Sequence, residues 1–253
     1  MPSGKIPTSD WLRDKLDRLL EMTYIVKKVT PDLYSQPDPA YGFWSIKKEI
    51  ALMYWAYPFQ QIAKNHFKFF YYIDLFAGSG LMKAEDSFFV GSPIVAVASA
   101  LKDHQFSQYI CMEANEARKV ALEKRTEAVC SHFGTYRAKV YQADCNLRNP
   151  ECAPALSEFF GDDDWRDCDI EEAFYNYKFC ISELRAFVDS LEVRDEQHHR
   201  LYDLVFATNS QGMRNALADL KMRLDKIQTK TIRGLYAVAT EGQKQLTDNW
   251  SKT

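Results

Sequence analysis

The stretch Phe69–Gly80, FFYYIDLFAGSG, decides the fold. Seven mostly apolar residues are too few for a helix and rich in β-formers, so 69–75 reads as a strand buried by its composition. It ends at the carboxylate of Asp74 and a turn holding Gly78 and Gly80. Downstream, KAEDSFFVGSP reads as a loop leading to a helix over 93–102. YICMEAN (109–115) is a second strand ending at Glu113, 115–131 a charged helix, and AKVYQADCN (138–146) a third strand ending at Asp144. Strand, glycine turn, helix, strand, acid, helix, strand, acid is the order of an α/β fold with parallel strands. Right-handed crossovers place all three acids on one edge of such a sheet, the edge where ligands bind.

Upstream, 9–28 reads as a helix capped by Ser9 or Asp10, with Leu12, Leu16, Leu19, Leu20 and Ile25 at helical spacing. A proline-rich connector follows, then a helix over 43–65 that contains Pro58. After Asp144, residues 155–186 read as mainly helical, broken by GDDDW (161–165). AFVDSLEV and LYDLVFATN are two further strands, 211–228 a helix and the remainder a loosely held tail. The expected division is a helical region 1–66, an α/β domain 67–228 and a C-terminal tail 229–253.

The 253 residues are 46% hydrophobic, enough for a sizeable core, and the formal net charge of -3 gives no whole-chain footprint for nucleic acid or a membrane surface. Six cysteines form no CxxC pair, which argues against a zinc knuckle or an iron–sulfur cradle. With no long apolar leader and no transmembrane run, the expected setting is a reducing cytoplasm with free thiols.

A dinucleotide site is a poor fit, because GxGxxG with an acid about 20 residues on is not matched by AGSG with Glu113 lying 39 positions after Asp74. No GK[ST] follows the turn, so a Walker loop is absent. S-adenosylmethionine fits better. An ammonium needs an anion, and ribose hydroxyls need an acceptor. Asp74, Ala77, Gly78 and Gly80 would hold the amino-acid end with Phe76 bordering the cofactor, Glu113 would hold the ribose, and Asp144 would stand near the adenine.

DLFAGSG resembles the cofactor loop of class I methyltransferases. The wider run of FWSIKKEIALMYW, YYIDLFAGSG, GSP at 91–93, YICMEAN, ADCN at 143–146, EFFGDDDW and LYDLVFATNSQGM is similar to the three-Cys-motif partner proteins, over about residues 41–225. The resemblance implies a Rossmann-like parallel sheet flanked by helices and a nearby-encoded partner with a radical-SAM-like three-cysteine motif, often at mobile or defence-like loci. It implies no particular substrate. One departure stands out. Such proteins carry a fourth strand ending in a DPxG-like sequence beside the first, whereas here ADCNLRNPECAPAL runs almost directly into SEFFGDDDW. The chain therefore looks shortened after its third strand. That makes a non-catalytic partner module one alternative. A nucleic-acid-modifying methyltransferase is another, which the net charge does not support.

Other side chains carry weaker signals. Asn209 ends YDLVFATNS much as an asparagine ends the NPP[YF] strand of amino-methyltransferases, but Ser210 and Gln211 replace the prolines, which makes it a weak catalytic candidate. Lys47 and Lys48 read as a solvated helix face, Cys145 as a small buried thiol, His198 and His199 as exposed loop residues, and GDDDW as a helix break with Trp165 packed beneath.

Overall fold

The computed structural model describes residues 8–29, 42–84, 87–99, 105–136, 138–143, 179, 182–183, 185–194, 197, 199–225 and 227–250. Its elements are α1 (Thr8–Val29), α2 (Trp44–His66), β1 (Tyr71–Asp74), β2 (Leu81–Ala84), β3 (Ser87–Val90), α3 (Ser92–Ala98), β4 (Gln108–Glu113), α4 (Glu116–Phe133), β5 (Lys139–Gln142), β6 (Phe187–Arg194), β7 (Arg200–Thr208), α5 (Gln211–Leu224) and α6 (Thr229–Trp250).

β1, β4 and β5 form a parallel sheet in the order β1-β4-β5, with Asp74 opposite Cys111 and Glu113 opposite Gln142. The fold is mixed α/β, as the strand–helix alternation predicts, and is compatible with a Rossmann-like arrangement. β4 leads into α4 through Asn115, whose side chain accepts the Arg118 N–H as the helix N-cap. α3 and α4 pack on each other and on the sheet, and α1 packs against α4 and β3.

Alternation along the strands separates the two faces of this sheet. Tyr109, Cys111 and Glu113 of β4 are buried, beside Tyr72 and Asp74 of β1. On the other face Tyr71 and Ile73 are 51% and 57% exposed, Ile110 and Met112 are half-buried, and Tyr141 is exposed. The expectation that 69–75 is buried throughout therefore holds for one face only. Phe69 and Leu75 continue the exposed stripe. The described helices cover one side, and composition, apolar on both, does not distinguish them.

Three further expectations are corrected. The stretch after the glycine turn is an antiparallel hairpin, β2–β3, rather than a loop. Gly91 N–H donates to the Gly80 carbonyl at 3.0 Å, so the chain returns beside the turn before α3 begins. Asp10 lies within the first turn of α1 and does not cap it. The segment after 229 is a helix whose Ile232 and Tyr236 are fully buried, with the Tyr236 hydroxyl donating to the Phe88 carbonyl and its ring edge-on to Phe43.

β6 and β7 pair antiparallel as a separate two-stranded sheet. α5 follows with Met213, Leu217, Leu220 and Leu224 all buried, the stripe its spacing predicts. Tyr54 donates to Asp219 at 2.6 Å, and Trp55 packs on Phe206 with ring centroids 4.8 Å apart, so α2 carries both α5 and the hairpin. No helix among the described residues is long and apolar enough to cross a membrane.

Candidate functional site

The turn after β1 is locked from several sides. Asp74 Oδ1 accepts the Phe76 N–H at 3.1 Å. Its Oδ2 accepts the Tyr72 hydroxyl at 2.9 Å and the Ser92 hydroxyl at 2.6 Å. Three donors converge on one carboxylate, an arrangement that organises the turn and gathers negative charge at the strand end. Ala77 N–H donates to the Met112 carbonyl at 3.0 Å and fastens the turn to β4. Ser79 is fully buried, and its carbonyl accepts Arg125 Nη1 at 2.7 Å from α4.

Gly78 and Gly80 have φ of 63° and 74°. Side chains with a Cβ avoid this region, and a Cβ on Gly80 would stand 2.8 Å from Leu122 Cδ1 and 3.0 Å from Ile94 Cγ1. Gly80 is thus required by its backbone and by the core beneath it, whether or not a ligand binds. Phe76, at 67% exposure, is the most open residue of the turn.

Glu113 ends the neighbouring parallel strand. It is buried, its Oε1 accepts the Asn115 N–H at 2.8 Å, and its carbonyl accepts the Ala143 N–H at 3.2 Å. The structure brings Asp74, Phe76, Ala77, Gly78, Gly80 and Glu113 to one edge of the sheet. Asp144 lies outside the described residues, as do Cys145, His198 and the GDDDW segment with Trp165. Asn209 stands elsewhere, at the end of β7 on the two-stranded sheet, where its Oδ1 accepts the Ala186 N–H at 2.8 Å and closes the open end of the hairpin. Ser210 beside it caps α5 by accepting the Met213 N–H.

Compared with known proteins, the chain matches no family model, no curated protein and no solved structure.

Sequence reasoning missed three contributors. Glu49 is fully buried on α2, and burial pushes its carboxyl up to about 7, with Lys48 opposing and the Asp74 charge adding to the rise. Its signal was visible, since it sits on the apolar stripe of Ile46, Ile50 and Met53. Arg125 is likewise buried among Leu122, Thr126 and Val129, and desolvation lowers it to about 10. Ser92 ties α3 to Asp74.

The two lysines are not the solvated face that was expected. Lys48 Nζ lies 3.1 Å from Glu49 Oε1, and Lys47 is half-buried and lowered by desolvation, against the raising charge of Asp225. His199 is exposed, in keeping with its loop position, and no group of three or more metal-ligating side chains occurs among the described residues. Cys111 and Cys130 are both buried. Burial, with Asp74 adding, pushes the Cys111 thiol well up, so it is a poor nucleophile.

Proposed function

We propose that this protein binds S-adenosylmethionine through the β1 turn and the end of β4, as a methyltransferase-like protein of the three-Cys-motif partner kind. The observation that carries this reading is the juxtaposition of two acids on adjacent parallel strand ends around a turn with two left-handed glycines. The residues fit the ligand's demands. The Glu113 carboxylate is anchored through one oxygen to Asn115 N–H, and a carboxylate is an acceptor suited to a pair of ribose hydroxyls. Asp74 supplies negative charge on the side where the methionyl ammonium would lie, and the turn brings backbone close to that position. Exposed Phe76 offers an apolar border. When bound, S-adenosylmethionine supplies an electrophilic methyl group, and this chain's part is to hold and orient it.

Isothermal calorimetry with S-adenosylmethionine tests the reading. Binding is expected, weakened about tenfold or more by Glu113→Ala, since removing an acceptor from paired hydroxyls costs on the order of 1–3 kcal/mol. No binding heat from the wild-type chain overturns it.

A second reading, a partner-holding scaffold, is favoured by the open face of the sheet. Phe69, Tyr71 and Ile73, at alternate positions just before and along β1, are 59%, 51% and 57% exposed, and β1 is also an edge strand among the described residues. Contiguous apolar surface of this kind marks interaction sites, and a free strand edge accepts a further strand. On this reading the chain co-purifies with the three-cysteine protein encoded nearby, and Ile73→Lys abolishes the complex. A complex indifferent to Ile73→Lys overturns it.

A further inference from the structure

Glu49 is a carboxylate in a place that carboxylates avoid. It lies on α2 with none of its surface exposed, and no well-aligned hydrogen bond reaches either of its oxygens. Its ionic neighbour is Lys48, whose Nζ is 3.1 Å from Oε1 and whose side chain is 31% exposed. With Lys48 as its one close cation among the described residues, an ionised carboxylate so placed is poorly compensated for the water it has lost, and it stays costly unless a further charge offsets it. A second carboxylate, Asp74 of β1, already gathers three donors. The Asp74 charge acts on Glu49, and both act on the Tyr72 hydroxyl, which burial and these charges push well above its usual range.

Among the described residues, few titratable groups act on Glu49. Its own helix brings Lys48, and β1 brings Asp74 and Tyr72. Behind these stands the Cys111 thiol of β4, kept neutral by burial and by Asp74. α3 carries no charged residue and contributes the Ser92 hydroxyl to Asp74. Lys48 is the cation in this set. With both acids ionised there are two negative charges in a poorly hydrated place, and a second cation at the turn would offset the excess.

We propose that Glu49 is the second carboxylate of the Asp74 site, protonated in the free protein and ionised when a ligand's ammonium group binds the turn, so that binding releases a proton. The O–H bond of Glu49 breaks, its electron pair stays on the carboxylate, and the proton passes to solvent. The ligand class is a small molecule with a cationic amino-acid end. The identity of that ligand rests on the proposed function, whereas the proton release rests on Glu49.

The test uses the whole chain and S-adenosylmethionine. Calorimetry in two buffers of different ionisation enthalpy counts the protons released. Release of a large fraction of one proton is expected near about pH 6, falling towards none above about pH 8, with affinity rising about tenfold between them. Glu49→Gln is expected to bind with that rise removed. A second readout needs no ligand. The folded-state value of about 7 lies above the usual 4.5, so protonated Glu49 favours the fold; that contribution is complete below about pH 4.5 and is lost as pH rises through about 7. Glu49→Gln should therefore melt above the wild type at about pH 8, the gap closing towards about pH 5. Binding without proton release, and equal melting of the two proteins at about pH 8, overturn the proposal while leaving the cofactor reading intact. Absence of binding at every pH removes the cofactor reading and this inference with it, even if the melting gap is found.

Discussion

The two faces of the β1-β4-β5 sheet are built from the same kinds of residue and meet different fates. On one face Tyr109 and Cys111 are fully buried, and the turn below is clamped by Leu122, Ile94 and Arg125. On the other, Tyr71, Ile73 and Tyr141 stand in solvent. A strand places successive side chains on opposite faces, so the difference lies in which face the described helices cover. The covered face carries the acids and the machinery that fixes the turn. The open face carries apolar surface without cover, which is why a cofactor reading and a partner reading arise from one sheet.

The comparison can be broken by substitution, the largest effect lying on the covered face. Tyr109→Ala is expected to cost about 3–5 kcal/mol, with Phe→Ala in cores as the guide, because Tyr109 is fully buried with its ring against Phe106 and Tyr72. Urea unfolding measures it, and a loss under about 1 kcal/mol would mean that this face is not packed as described. Next comes Gly80→Ala, expected at about 2–4 kcal/mol, from a left-handed backbone and a Cβ within 2.8 Å of Leu122. If the melting temperature is unchanged in that variant, the turn geometry is wrong. The smallest effect is Ile73→Thr on the open face, within about 0.5 kcal/mol in the isolated chain. A loss approaching that of Tyr109→Ala would show that the open face is covered and would remove the observation behind the partner reading.

Much of the architecture was legible in the residues because it depends on short periods. Met213, Leu217, Leu220 and Leu224 announce α5, Asn115 announces the start of α4, and the β-rich runs ending at Asp74 and Glu113 announce two adjacent strands. Asp74, Glu113 and the glycine turn were read in the same way, and the structure places them at one edge of the sheet. The rest depends on pairings that local pattern does not encode. The β2–β3 hairpin is held partly by Gly91 meeting Gly80 across an intervening stretch of chain, and the final helix by Tyr236 reaching back to Phe88. Glu49 lies between Ile46, Ile50 and Met53 and Arg125 among Leu122, Thr126 and Val129, and the helical spacing marks both positions while only the packed structure shows that their charges are buried.

By itself, then, the sequence determined the alternation of strands and helices, the acids at the strand ends and the need for glycine at the turn, because each follows from backbone sterics and side-chain spacing over a few residues. Only the tertiary structure decided which face of the sheet is covered, that Asp74 collects Tyr72, Ser92 and the Phe76 N–H, and that Glu49 is sealed from water near it. Burial and charge proximity are properties of segments brought together from distant parts of the chain, and no local period encodes them.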